Sequence, residues 1–447
     1  MHILWIKTEL LHPVDKGGRI RTYQMLKALK QHHRITYLAL DDGTAAPDAR
    51  ERAEEYADEF VTVPFHQPAR GSLRFWGDLL RNVFSDLPYA IAKYRSPALT
   101  RELRQIAARG GVDVVVCDFL APSINVPGDL ALPTVLFQHN VEAMIWRRHF
   151  GVRTSPLSRA YFGRQWRRME RFERAECRRF GRVIAVSPQD AAVFREDYGV
   201  AGAADVPTGV DTGYFAPSGS VAREPRDLVF TGSMDWLPNE DGIRWFAEAI
   251  LPRIKALVPD VTVTIVGRHP PDSIRSLATR DPAVRVTGTV PDVRPYMERA
   301  AVFIVPLRIG GGTRLKIFEA MAMERAVLST SIGAEGLPVE DGTHLLLADD
   351  PDAFARAATD LLTDPARAGA LAREAAALVR GSFSWDRVAG RFAGLALPAA
   401  HPLTSAAKTS RAQLREDMTN EQRAERLQRR IEEICKIVGL MPLPIEG

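Results

Sequence analysis

The sequence predicts an α/β protein of two doubly wound domains with parallel sheets, followed by a C-terminal helical extension. Three observations predict it. Short β-branched or apolar runs alternate with amphipathic stretches of helical length, the pattern of parallel sheets covered by helices on both faces. Eleven such runs would make one very wide sheet, whereas two domains of ordinary size hold them comfortably. Proline, glycine and polar residues cluster in "DVPTGVDTGYFAPSGSVAREPRD", where the chain passes from one domain to the next.

In order, the first half offers the runs "HILWI", "RITYLAL", "VDVVVC", "PTVLFQ" and "RVIAV". The second offers "DLVFTG", "VTVTIVG", "AVRVTG", "AVFIVP", "AVLST" and "HLLLA". Helix-length stretches such as "IRTYQMLKALKQ" and "DGIRWFAEAILPRIKAL" lie between them. An eightfold barrel would also alternate strands and helices, but the long arginine-rich stretch in the first half breaks its even rhythm. The expected boundaries are a first domain over 1–207, a linker over 208–226 and a second domain over 227–382. Residues 398–447 read as a linker and a charged helix over 411–439. There Leu427, Ile431, Ile434 and Val438 recur at helical spacing, either to dock on the chain itself or to meet a partner or second copy.

A chain of 447 residues with 46% apolar and 26% charged residues has the composition of a soluble globular protein. No run approaches the roughly 18 apolar residues of a membrane span. The opening "MHILWIKTELLHP" reads as a first strand rather than a signal peptide, which predicts the cytoplasm. The three cysteines, Cys117, Cys177 and Cys435, have neither disulfide-framework nor zinc-ligand spacing. The single D-x-D, Asp350-Pro351-Asp352, reads as a helix N-cap, and no metal is expected. Net charge is +4, but the stretch from Arg147 to Arg182 holds twelve arginines against three glutamates. Phe162, Trp166, Met169 and Phe172 would bury one face of a helix there, leaving the arginines to solvent or to an anionic membrane surface. No nucleic-acid reader module accompanies this charge, so no nucleic-acid partner is expected.

Two glycine loops open helices after predicted strands. One is "HPVDKGGRIRTYQ", with Gly17 and Gly18 followed by Arg19 and Arg21; the other is "RIGGGTRLKIFEAMA". Neither fits the dinucleotide or P-loop fingerprint. Glycines beside cations at the carboxyl ends of strands nonetheless suit a diphosphate, because N–H groups and the helix dipole point at the ligand there. "PTVLFQHNVEAMIWRRHF" sets His139 directly after another strand, between Gln138 and Asn140, either as a site residue or as a structural histidine.

Over about residues 1–397 the chain resembles family 4 (group 1) glycosyltransferases of the GT-B fold, which are two facing Rossmann-like domains with the donor in the cleft. Within that family it is most similar to bacterial sugar transferases associated with exopolysaccharide and PEP-CTERM systems. The matching stretches are "GGRIRTYQMLKAL", "FQHNVEAMIWRR", "AVSPQDAAVF", "PTGVDTGYF", "TGSMDWLPNEDGIRWF" and "GGGTRLKIFEAMAMERAVLSTSIGAEGL". The resemblance implies a retaining hexosyltransferase with no cofactor beyond a nucleotide-sugar co-substrate. The acceptor would be a sugar, a lipid-linked group or a small molecule. Glu319 would take the donor ribose, Gly17, Gly18 and Arg19 would approach the diphosphate and sugar, and His139 would contact the sugar. Val290 would border the base, and residues 383–397 would form a helix returning to the first domain.

Two departures stand out. Gly311 occupies the place of the family's second acid, and Ser233, after Gly232, stands where an arginine usually follows the first strand of the second domain. A dianionic leaving group still needs cations or aligned donors. Arg314 and Lys316, with Arg268, are the candidates, and Gly312, Thr313 and Leu315 complete the expected donor site. An epimerase of the same fold and a non-catalytic sugar-nucleotide binder are the rival readings.

Overall fold

The computed structural model describes residues 1–15, 17–69, 71–151, 155–309 and 315–396. The predicted helix over 411–439 lies outside them.

Two parallel sheets form. The first holds β1 (His2–Lys7), β2 (Arg34–Asp41), β3 (Glu59–Pro64), β4 (Val114–Asp118), β5 (Thr134–Gln138), β6 (Arg182–Ala185) and β7 (Ala204–Asp205), in the order β3-β2-β1-β4-β5-β6-β7. The second holds β8 (Glu224–Thr231), β9 (Thr262–Val266), β10 (Val284–Gly288), β11 (Ala300–Val305), β12 (Ala326–Ser329) and β13 (Leu346–Leu347), in the order β10-β9-β8-β11-β12-β13. All eleven predicted runs are strands. β3 and β7 were not anticipated. Both lie at sheet edges, where β3 needs only one buried residue, Val63, and β7 has two residues.

The side chains of β1 explain why its run is continuously apolar. Ile3 and Trp5 enter one core and Leu4 and Ile6 the other, because successive residues face opposite sides of a sheet buried on both. Among the helices that matter below, α1 (Gly17–Lys30) follows β1, α2 (Leu73–Val83) follows β3, and α3 (Glu142–Gly151) follows β5. Next come α4 (Pro156–Arg179), α5 (Leu315–Ala322) after β11, and α6 (Trp385–Ala396). The aspartate at 350 does cap its helix, accepting from the N–H groups of Asp352 and Ala353.

The chain passes between the domains twice, side by side. Val210 donates its N–H to the Phe383 carbonyl (2.8 Å) and forms a parallel bridge with Ser384. Beyond this point α6 packs into the first domain's core, where Phe392 meets Trp5 and Phe137 at ring separations of 5.5 and 5.0 Å. Gly209 lies so close to Trp385 that a Cβ there would sit 2.7 Å from Cδ2 of the indole. Gly209→Ala should therefore displace Trp385 and destabilise the protein by about 1–3 kcal/mol, the usual cost of overpacking. Urea unfolding measures this directly, and an unchanged midpoint would mean that the indole moves aside freely.

Candidate functional site

In each sheet the chain reverses its direction of growth once, between β1 and β4 and between β8 and β11. Ligands of open parallel sheets bind outside the carboxyl ends of the strands at such points. Several of the described residues singled out in the sequence fall at or beside these two places.

At the first, β1 ends on Lys7 and β4 on Asp118, both buried. Oδ2 of Asp118 accepts from Lys7 Nζ (2.8 Å), Trp5 Nε1 (3.1 Å) and the Thr22 hydroxyl (2.6 Å), which itself accepts from Lys7 (2.9 Å). Burial alone would raise the Asp118 carboxyl, but the charge of Lys7 and its neighbours holds it well below the usual carboxylate range. Thr22 lies on α1, so this network fixes the helix behind Gly17 and Gly18 to the strand ends. Gly17 faces open space, and Gly18 backs onto the ring of Phe119. Phe119 itself holds a left-handed backbone (φ +76°), a strained state for a side chain of its size. Its ring lies under Lys7 Nζ (4.2 Å) and stacks on His139 (3.8 Å).

His139 follows β5 and is buried. Burial pushes its pKa down to about 4, against the opposing pull of Asp118, so the imidazole is neutral near pH 7. Its Nε2 lies 2.7 Å from Asp118 Oδ1, but the approach is not aligned as a hydrogen bond. Neither ring nitrogen has an aligned partner among the described residues. Just beyond, Glu173 of α4 accepts from the N–H groups of Glu142 (2.8 Å) and Ala143 (3.0 Å), tying down the first turn of α3. Burial pushes its carboxyl up to about 7. Arg19 turns away from this group: it pairs with Glu9 (2.8 Å) and Asp15 (3.4 Å) and braces the loop before α1. Arg21 is buried and donates to Thr208, in the outward crossing.

At the second place, β8 runs into Gly232 and Ser233. Lys316, in the first turn of α5, reaches over the Phe230 ring (4.1 Å) and donates to Asn239 Oδ1 (2.9 Å). Asn239 in turn donates to the Ser233 carbonyl (2.7 Å). A Cβ on residue 232 would stand 2.8 Å from Lys316 Nζ, so glycine there keeps the ammonium's place open. Arg268, after β9, donates from Nε to the Ser233 hydroxyl (2.9 Å), so Ser233 has a guanidinium beside it after all. Leu315 opens α5, and Glu319 follows one turn later, half-buried. Burial pushes the Glu319 carboxyl from its ordinary 4.5 up to about 7, with Lys316 pulling the other way. Val290 packs half-buried on the second core, beside a cavity of about 390 Å³ lined in part by His269, Thr287, Gly288 and Thr289. Gly311, Gly312, Thr313 and Arg314 lie outside the described residues.

Lys7, Thr22, Asp118 and Asn239 escaped the sequence reading. The signal was there for two of them: a charged residue closing an otherwise apolar strand in mid-sheet, as in "HILWIK" and "VVVCD", has to meet a counter-charge. Among the described residues no three His, Cys, Asp or Glu side chains gather as a metal site. Replacing Lys7 by Met would leave Asp118 as a buried charge without its ammonium, at an expected cost of about 3–5 kcal/mol. Adding Asp118→Asn to that variant should recover part of the loss, and equal urea midpoints for Lys7→Met and the parent would show the pair to be energetically idle.

A model described as Glycosyltransferase Family 4 matches residues 16–214, and one described as Glycosyl transferases group 1 matches 225–364. An uncharacterised 44.6 kDa protein of the cps region of Klebsiella pneumoniae is 22% identical, over 79% of this chain and 89% of its own length. The phosphatidyl-myo-inositol mannosyltransferase of Mycolicibacterium smegmatis is 32% identical over 42% of this chain and half of its own. Among solved structures, sucrose-phosphate synthase of Thermosynechococcus elongatus superposes with a TM-score of 0.61 at 18% identity, over 88% of this chain and 98% of its own. Anabaena HepE in complex with UDP gives 0.60 at 15% identity, over 88% and 99%. With the two models taking one domain each, the chain belongs to the group 1 and family 4 glycosyltransferases of the GT-B fold, enzymes that depend on a nucleotide-sugar.

Proposed function

We propose that the protein moves a hexose-type sugar from a nucleotide-diphosphate sugar to an acceptor hydroxyl with retention of configuration and without a metal. The observation that supports this reading is the pairing of Arg268 with Ser233 and of Lys316 with Asn239 beside Gly232, two cations available to neutralise a leaving diphosphate. In the reaction the bond from the anomeric carbon to the diphosphate oxygen breaks and one to the acceptor oxygen forms on the same face. The acceptor's proton passes to the departing diphosphate. His139, neutral and with ring nitrogens lacking aligned protein partners among the described residues, shapes the sugar side of the cleft. Glu319 takes the ribose hydroxyls, Gly17 and Gly18 admit the diphosphate and sugar, and the cavity beside Val290 takes the base. Arg314 shares the diphosphate on sequence grounds.

Relatives with capsule-region or lipid-acceptor names make a lipid-linked or polysaccharide acceptor the natural choice. The arginine-rich face of α3 and α4 suits work against the cytoplasmic face of an anionic membrane; no helix of the described residues is long and apolar enough to cross one.

A panel of nucleotide-sugars, scored by thermal shift and by slow hydrolysis without acceptor, tests the reading. Release of a free epimerised sugar nucleotide would replace it with epimerisation. Lys316→Ala and Arg314→Ala should each lower turnover by about 100-fold or more, as loss of a charge-stabilising donor does elsewhere. Near-parent turnover in both would remove them from the mechanism.

Glu319 makes donor binding depend on pH. Ribose hydroxyls donate to the ionised carboxylate, so binding draws off a proton that burial retains up to about pH 7. Donor affinity should tighten as pH rises through about 7, and Glu319→Gln should flatten that slope while weakening binding. Calorimetric titration at several pH values reads both effects.

A further inference from the structure

We propose that α2 is a membrane-docking helix whose apolar edge enters an anionic bilayer. Leu73, Trp76, Leu80 and Phe84 follow one another at spacings of three, four and four, and so share one edge of the helix. They are 92, 56, 67 and 91% exposed. Large apolar groups are rarely left together in water without a purpose.

The helix beneath them is firmly built. Ser72 caps it by accepting from the Phe75 N–H (3.1 Å). Its other side is held through buried Asn82, which accepts from Gln165 Nε2 (3.2 Å) on its side chain and from Arg168 Nη1 (2.9 Å) on its carbonyl. The exposed edge is therefore presented by a fixed element.

Charge names the occupant. Arg74 and Arg81 stand seven residues apart, one step round the helix from the apolar edge, and both are exposed. The C-terminal turn rests on α4, where burial lowers the pKa of Arg168 and the charges of Arg164 and Arg171 lower it further. Asp78 and Asp86 are the acids nearby. An apolar edge flanked by arginines matches acyl chains below phosphate headgroups. A second copy would set the same arginines against each other. The segment 411–439, with seven basic and six acidic residues, brings no negative excess to meet them.

The proposal deepens the membrane-surface reading above and is independent of sugar transfer. Its test uses the full chain with vesicles of phosphatidylcholine alone or with roughly 30% phosphatidylglycerol, an anionic fraction that sets up the attracting surface potential. Flotation should show binding to the anionic vesicles only, weakened at about 0.5 M salt by screening. Leu80→Glu with Phe84→Glu should cut binding about 10-fold or more by charging the inserted edge. Arg74→Ala with Arg81→Ala should cut it several-fold while sparing the apolar edge. Because these side chains are exposed, circular dichroism, melting midpoint and vesicle-free donor hydrolysis should match the parent. Undiminished flotation of the Leu80→Glu/Phe84→Glu variant would overturn the proposal. So would loss of a vesicle-free dimer in sedimentation velocity, which would assign the edge to a second copy. Faster trypsin cleavage within 398–447 in that variant, with vesicle binding intact, would assign it to the chain's own tail and equally overturn the proposal.

Discussion

The buried pair of Lys7 and Asp118 is the interaction around which the first domain's working end is assembled. Two charges taken out of water are costly, and they persist only where further hydrogen bonds satisfy them. Here the satisfaction comes from Trp5 and Thr22, one beside Lys7 on the same face of β1 and one on α1. The same pair therefore sets where α1 begins, where its glycines open, and how His139 stands behind them. Phe119 takes a strained backbone to fit its ring between the ammonium, Gly18 and the imidazole. The strain is tolerable because the surrounding contacts over-determine the position.

The second domain solves the opposite problem, keeping cations near its surface. Asn239 is the organiser there. Its amide holds Lys316 on one side and the Ser233 carbonyl on the other, and a neutral partner leaves the ammonium's charge intact. Arg268 arrives from the next strand to stand against Ser233. Two cations, one on α5 and one following β9, thus stand beside the end of β8, where Gly232 keeps the backbone slim.

Much of the fold was legible because buried parallel strands announce themselves as unbroken apolar runs. The two strands that escaped lie at sheet edges, where half-exposed or two-residue segments carry no such mark. His139, Gly232 and Lys316 were legible for a related reason, since each sits at a strand or helix end that the runs locate. The Lys7–Asp118 pair was only half legible: a charge closing an apolar strand asks for a counter-charge, but nothing local says that these two, 111 residues apart, meet each other. The edge of α2 was overlooked for a third reason. "LRFWGDLLRNVF" has the apolar content of an ordinary packed helix, and only its surroundings show which side is left outside.

The paired crossings at Val210 and Ser384 carry a mechanical consequence. A single linker lets two bodies swing, twist and separate, but two adjacent passages joined by a backbone bridge act as an axle. Twisting one domain against the other would shear the Val210–Phe383 hydrogen bond and pry Trp385 from Gly209. The crossing is therefore held by a backbone hydrogen bond and a packed indole as well as by the chain itself.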